Sequence, residues 1–360
     1  MRVLFLLPYP LHRAPSQRFR VENLLPLLEE AGIEYTLRPF MDEKTWNVLY
    51  KGGSALQKAA GILKGFRRRW YTVLREAKHY DWIFIHREAA PLGPPLLESY
   101  LKNVLHKRII YDFDDAIWIP NTSAENKLAA RLKAFWKVPR ICRWAHTVTA
   151  GNDFLCDFAR KNTEGNIVRI PTVVDTEHRY NRLKQHGEGK PVVGWTGSHS
   201  TLKYLDGILP LIRELQEELA FTFLVIADKA PEISLKDWEF VAWNTETEIE
   251  DLLRMDIGLM PLTADPWSEG KCGFKLIQYL SLGIPALASP VGVNSAIVVE
   301  GENGYLCEDP EAWKRNLRRL IGDAMLRNRM GAAGRQKMVA EYSIRAIQPL
   351  LLGVFKSAAT

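Results

Sequence analysis

EGKCGFKLIQYLSLGIPALASPVGVN, residues 269–294, sets out a loop, a helix, a strand and a turn in succession. Gly270 and Gly273 open the loop. The spacing predicts a helix over Phe274–Leu282 with Leu276, Ile277 and Leu280 on one face. Gly283 ends it and Pro285 prevents it from resuming. Ala286, Leu287 and Ala288 then read as a short buried strand, closed by Pro290 and Gly292. Lys271 and Lys275 fall where this helix begins, at the end of the dipole that disfavours cations. An anion such as a phosphate, held between them and the free backbone N–H groups, explains that placement. The alternative is a pair of solvated surface lysines. Lys275 and Gln278 are three apart and share a face.

The same grammar runs outward in both directions. Val192–Trp195, Phe221–Ala227 and Ile257–Met260 read as buried strands. Gly194-Trp195-Thr196-Gly197-Ser198 is a turn leading to a helix from about Lys203, and its glycines admit close backbone approach to a diphosphate. A helix is expected over Thr247–Arg254, with Thr245 and Glu248 as a capping box. Towards the N-terminus, Val3–Leu7, Trp82–Ile85, Ile109–Asp112, Thr147–Ala150 and Ile167–Ile170 are strand candidates. Ser16 is expected to cap a helix bearing Phe19, Leu24, Leu27 and Leu28, kinked at Pro26 and ended by Gly32. Strands separated by helical stretches imply doubly wound parallel sheets, whose ligands bind beyond the carboxyl ends of the strands.

Three polar clusters fall at such ends. They are Ser16-Gln17-Arg18-Phe19-Arg20, His86-Arg87-Glu88 and Asp112-Phe113-Asp114-Asp115. Three carboxylates in four residues repel and need a cation, a shared proton or hydrogen-bond donors. Between strands, Lys51–Lys78 carries a helical apolar stripe of Leu56, Ala59, Ala60, Leu63, Phe66, Trp70 and Leu74 among basic residues, with Glu76 its only acid. That pattern suits an interfacial membrane helix or a packed helix with a basic exposed side.

At 360 residues the chain is long enough for two domains. The opening MRVLFLLPYP is too quickly broken by proline for a signal peptide, and no apolar run is long enough to span a membrane. Cys142, Cys156, Cys272 and Cys307 lack paired metal spacing and suggest reduced, cytosolic thiols. The sequon Asn121-Thr122-Ser123 carries no weight without a secretion signal. Cations exceed acids by ten up to Glu188 and fall short by four after it. A basic half points to an acidic partner: nucleic acid, anionic lipid or a phosphorylated substrate.

Residues 269–285 resemble the donor motif of retaining glycosyltransferases of family four, a divergent bacterial-type member, with the GT-B fold. That motif is a Glu, seven residues and a second Glu, running through a Gly-Phe-Gly loop into a helix and ending in Gly-x-Pro. Gly283, Ile284, Pro285 and Gly273 match; Gly270 and Gln278 stand where the two acids belong. Ile170-Pro171-Thr172-Val173-Val174-Asp175-Thr176 is similar to the segment that ends the family's first domain. The resemblance implies two Rossmann-like doubly wound parallel-sheet domains facing a central cleft. The domains would be 1–185 and 191–342, with a linker at 186–190 and a C-terminal helix from 343 returning to the first.

It also implies transfer of a sugar from a nucleotide diphosphate sugar to a glycan or lipid-linked acceptor, with retention and without a metal or cofactor. Lys271, Lys275 and Lys203 would neutralise the diphosphate, Trp195 standing where the family has an Arg. Gln278 would hold the ribose, and Gly194, Gly197, Ser198, Trp243, Gly273 and Phe274 would line the donor site. Asp114, at the position of the family's sugar-facing His, would join the lysines in catalysis. Gln17, Arg18, His86, Asp112 and Asp115 would serve the acceptor or phosphate side. The expected partners are the donor, the acceptor and an anionic membrane surface, with no nucleic acid, in a cytoplasmic or peripheral setting. Two rivals remain: a nucleotide-sugar-binding protein without activity, and a Mg²⁺ phosphatase, since Asp112-x-Asp114 resembles the nucleophile motif of haloacid-dehalogenase-type enzymes. The metal-binding Asp-x-Asp of GT-A glycosyltransferases is a further resemblance of the same residues.

Overall fold

The structure is a computed structural model and describes residues 1–50, 54–120 and 133–356. The sequon at Asn121 and the first three residues of Lys51–Lys78 lie outside the described residues. The chain forms two compact units, Met1–Pro171 with the C-terminal segment from Ile347, and Thr172–Ala346. Segment 172–185, read from sequence as the end of the first unit, packs with the second. Val174 pairs with Ser343, and Arg335 donates to Thr176 O and Tyr180 O. His186, at the head of the expected linker, is buried and bonded to Asp256 and to Gly283 O.

The first unit is a six-stranded parallel sheet of β1 (Arg2–Leu7), β2 (Glu34–Pro39), β3 (Trp82–His86), β4 (Arg108–Phe113), β5 (Thr147–Ala150) and β6 (Asn166–Arg169), in the order β2-β1-β3-β4-β5-β6. The second contains β7 (Val192–Gly197), β8 (Thr222–Ala227), β9 (Trp238–Ala242), β10 (Ile257–Met260), β11 (Ala286–Ala288) and β12 (Gly304–Leu306), ordered β12-β11-β10-β7-β8-β9 and again parallel. The runs Val3–Leu7, Trp82–Ile85, Ile109–Asp112 and Ile257–Met260 occupy inner positions, because strands covered on both faces must be apolar throughout, whereas Ile167–Ile170 gives the half-exposed edge strand β6. Sequence reading passed over β2, β9 and β12. Each is an edge strand and two of the three are mostly half-exposed, so the apolar signal is weak there.

Strand order reverses between β1 and β3, and again between β7 and β10. Such reversals leave a crevice at the strands' carboxyl ends. In the second unit the opening is visible in the register: β7 pairs with β10 only at Val193–Ile257 and Gly194–Gly258. Beyond that, Tyr279 intervenes. Its hydroxyl accepts from Thr196 N at 2.9 Å, and its ring covers Gly258, where a Cβ would lie 2.4 Å from it.

Several local expectations are corrected. The N-terminal helix is not kinked at Pro26 but broken: Pro15–Arg20 is one helix and Leu25–Glu30 another, with Pro26 in the first turn of the second, where its missing N–H costs nothing. Ser16 lies inside the first helix and caps nothing, its hydroxyl being drawn to other partners. The helix expected from Lys203 starts as a 3-10 segment, His199–Leu205, followed by an α-helix at Leu209–Glu218. No Thr245–Glu248 capping box forms. The helix is Glu248–Leu252 behind Thr247, and Glu248 is drawn into the interior.

Candidate functional site

In the second unit the helix Phe274–Ser281 starts at Gly273, whose φ of +66° is the left-handed region open to glycine, and no side chain caps it. A Cβ at Gly273 would lie 2.1 Å from Ile297 Cδ1. Replacement of Gly273 by Ala should therefore cost about 1–2 kcal/mol from backbone handedness alone. Chemical denaturation measures that loss, and an unchanged midpoint would show that the loop rearranges freely.

Both lysines stand half-buried at this helix start. Each lies over an indole: Lys275 Nζ is 5.3 Å from the Trp195 ring and Lys271 Nζ 4.8 Å from that of Trp267. The face of an aromatic ring attracts a cation, so Trp195 is a seat for Lys275. Trp195 itself is buried within β7. The glycines around it are explained by packing. A Cβ on Gly197 would strike the Trp195 ring at 2.4 Å, and one on Gly194 would strike Met255 at 2.4 Å. Ser198 is exposed, with its hydroxyl 2.8 Å from that of Ser200. Lys203, also exposed, lies over Tyr204, whose hydroxyl meets Ser268 at 3.2 Å.

Gln278 faces inward and is 2% exposed. Its amide donates to Tyr180 at 2.7 Å and to Glu248 at 3.4 Å. Glu248 also accepts from Trp243 Nε1 at 3.1 Å and from Arg179 at 2.7 Å. Sequence reasoning gave Glu248 to a helix cap and missed Tyr180 and Arg179. The signal available was the carboxylate itself, next to an apolar Ile249 at the start of a short helix. Phe274, half-buried, begins the helix beside Lys275.

In the first unit the three polar clusters converge on one network at the β1/β3 reversal. Asp112, 1% exposed, is bonded to His86 Nδ1 at 2.8 Å, to Thr149 Oγ1 at 2.7 Å and to the Arg20 guanidinium. Burial by itself would raise the Asp112 pKa; the charge of Arg20 and the His86 hydrogen bond outweigh it and hold the carboxyl below its ordinary value. His86 Nε2 is 2.9 Å from Ser16 Oγ, which donates to Asp114 at 2.7 Å. Arg87 Nε and Nη2 donate to Asp114 at 2.9 and 2.8 Å, and Arg87 also pairs with Asp115. Burial again opposes ionisation of Asp114, and Arg87 dominates the opposing pull that lowers its pKa.

Arg87 adopts a left-handed φ of +61°. Tyr111 holds it there, its hydroxyl donating to Arg87 O at 2.8 Å, while Arg87 N donates to Asp112 O at 2.7 Å. A bystander in the sequence reading, Arg87 is the cation that the carboxylate cluster requires. Gln17 is fully buried, and its amide serves the loop after β1 through Tyr9 N, Pro10 O and Glu22. Arg18 is buried with its guanidinium 5.1 Å from the Phe19 ring centroid. Asp112 is therefore no phosphatase nucleophile: three partners enclose it. Among the described residues no group of three metal-ligating side chains is assembled.

Residues 190–323 match the family profile described as glycosyl transferases group 1. This is a glycosyltransferase domain. The match spans β7 to the helix Pro310–Gly322 and takes in both lysines, Trp195, Gln278, Trp243 and Glu248, while Arg179 and Tyr180 lie before it. No curated protein matches the chain in sequence. Among solved structures it is similar to sucrose-phosphate synthase from Thermosynechococcus elongatus, at 13% identity and a TM-score of 0.75 over 99% of this chain and 98% of that one. It is also similar to Anabaena HepE in complex with UDP-glucose, at 14% identity and a TM-score of 0.69 over 99% and 100%. A glycosyltransferase from Rickettsia africae gives 12% identity and a TM-score of 0.69 over 99% and 98%. These likenesses give the glycosyltransferase domain its setting: each unit is Rossmann-like, and the fold is GT-B.

Proposed function

We propose that the chain transfers a sugar from a nucleotide diphosphate sugar, with retention and without a metal, to a glycan or lipid-linked acceptor. The observation that carries this is the start of the helix Phe274–Ser281. A left-handed glycine, no side-chain cap and two half-buried lysines make a cationic seat for a diphosphate. Lys271 and Lys275 neutralise the leaving group, a charge fixed before reaction and therefore effective in the transition state. A uridine diphosphate sugar is the donor to test first, since HepE was solved with UDP-glucose. Gln278 and the neighbouring Glu248 supply polar contacts to the ribose side. In the first unit Asp114, held ionised by Arg87, offers a carboxylate to a sugar hydroxyl or to positive charge at the anomeric carbon. Arg18, His86 and Asp115 complete that side, His86 and Asp115 as positioning residues. Cys142, Cys156 and Cys307 are buried free thiols, in keeping with a reducing cytoplasm.

With lysines in place of a metal, release of the nucleoside diphosphate from a donor and acceptor mixture should persist in excess EDTA. Loss that Mg²⁺ alone restores would refute metal independence. Donor binding with no release under any acceptor would favour the inactive binding protein instead.

A further inference from the structure

The helix Ala55–Tyr71 packs on its unit through its glycines. Its inward side carries Gly61, Gly65 and Arg69, with Phe66 edge-on to Phe40 and Trp70 edge-on to Tyr100. Gly61 and Gly65 lie so close to the body of the unit that a Cβ would stand 2.8 Å from Thr45 and 2.5 Å from Phe40. Arg69, 2% exposed, donates to Leu7 O at 2.7 Å and Arg38 O at 2.8 Å. Leu56, Leu63, Tyr71 and Leu74 point outward instead. Leu56 is 83% exposed, Leu63 71%, Tyr71 62% and, one turn beyond, Leu74 47%. The steps from Leu56 to Leu63, Arg67 and Tyr71 are seven, four and four residues, which put them on one line of the helix. Beside this line, Ala59, Ile62, Leu63, Phe66 and Leu92 form a shallow apolar groove of about 400 Å³, with Lys58 at its edge.

Cations surround the stripe. Ser54–His79 holds seven Lys or Arg and one acid. Glu76 is taken by Arg38 at 2.8 Å, and Asp42 is shared by Lys64 at 2.8 Å and Arg68 at 3.7 Å. Lys58, Arg67, Arg75 and Lys78 belong to no ion pair among the described residues. We propose that this face docks on an anionic phospholipid bilayer. Leucines on an outward helical line enter the acyl boundary, and cations beside them meet the headgroups. A protein partner would need carboxylates opposite each cation. A charged lipid surface supplies its anions everywhere and favours each nearby basic side chain. The surface is separate from the donor residues, so it stands or falls independently of the transfer reading.

The test is sedimentation of the whole chain with vesicles of phosphatidylcholine, with and without phosphatidylglycerol. Binding is expected only to the anionic vesicles, and to weaken as salt shortens the screening length. The double variant Leu56→Gln/Leu63→Gln should bind them at least about tenfold more weakly, from the loss of two inserted side chains. The triple variant Arg67→Gln/Arg75→Gln/Lys78→Gln should lose most of the salt dependence. The circular dichroism spectrum and Tm in lipid-free solution should be unchanged in both, which reports that they fold. Equal, negligible sedimentation with both vesicle types would overturn the proposal. So would parental binding by both variants. Lipid-independent self-association abolished by Leu56→Gln/Leu63→Gln would assign the face to a second copy of the chain instead.

Discussion

Asn at position 112 should lower the stability of the first unit by about 3–5 kcal/mol, the usual cost of removing one partner of a buried pair. The carboxylate and the Arg20 guanidinium are each 2% exposed by side chain. Without the charge of Asp112, Arg20 keeps Ile170 O as a neighbour and the more distant charge of Asp114, but loses the carboxylate it is directly paired with while staying out of water. His86 and Thr149 also lose an ionised acceptor. For a unit of this size the loss corresponds to a fall of about 6–20 °C in Tm. A scan with Tm unchanged would mean that Arg20 finds water or another acid. Double substitution of Arg20 and Asp112 by apolar residues should recover much of the loss, because the pair itself contributes little net stability.

The same variant should flatten the acid limb of the stability curve. Asp112 has a folded pKa below its unfolded value of about 3.9. A depressed carboxylate contributes stability above its unfolded pKa, and that contribution is lost as pH falls through the folded value. The parent should therefore lose stability more steeply than Asp112→Asn below about pH 4. Parallel curves would refute a pair-dominated role for Asp112.

How much of this was legible in the sequence follows from where the signal resides. Inner strands such as Val3–Leu7 and Ile257–Met260 are covered on both faces, so composition alone reveals them. Edge strands β2 and β9 are half-wet and β12 is three residues long, and none carries a period that stands out. Lys271 and Lys275 were visible because a cation at a helix start violates a local rule. The partners of the Asp cluster were not, since Arg20 and Arg87 reach it from 92 and 27 residues away. Glu248 was misread for a related reason: a carboxylate three residues after a threonine fits a cap on paper, and only the fold brings Arg179 and Trp243 to it. The helix at Ala55–Tyr71 was recognised with two orientations open, its apolar stripe at a membrane or packed inward. Gly61 and Gly65 pack inward because they allow close approach, while Leu56 and Leu63 stay exposed.

Alanine at Lys271 or at Lys275 should each weaken binding of a nucleoside diphosphate by roughly tenfold to more than a hundredfold. A hydrogen bond to a charged group is worth about 1.5–3 kcal/mol, and each 1.4 kcal/mol is a factor of ten. Folding should change little, because two small effects oppose each other. Taking a cation from the start of a helix relieves about 0.3–1 kcal/mol of dipole repulsion. Losing its place over Trp195 or Trp267 forfeits about 0.5–1 kcal/mol of cation–π attraction. The corresponding nucleoside, which has no phosphates, should bind parent and variants alike. Calorimetric titration of both ligands against the three proteins separates the terms. If the diphosphate binds all three equally, the lysines are surface residues stacked on tryptophans and the diphosphate seat lies elsewhere. If nucleoside and diphosphate weaken together, the substitutions have disturbed the loop around Gly273, not removed a phosphate contact.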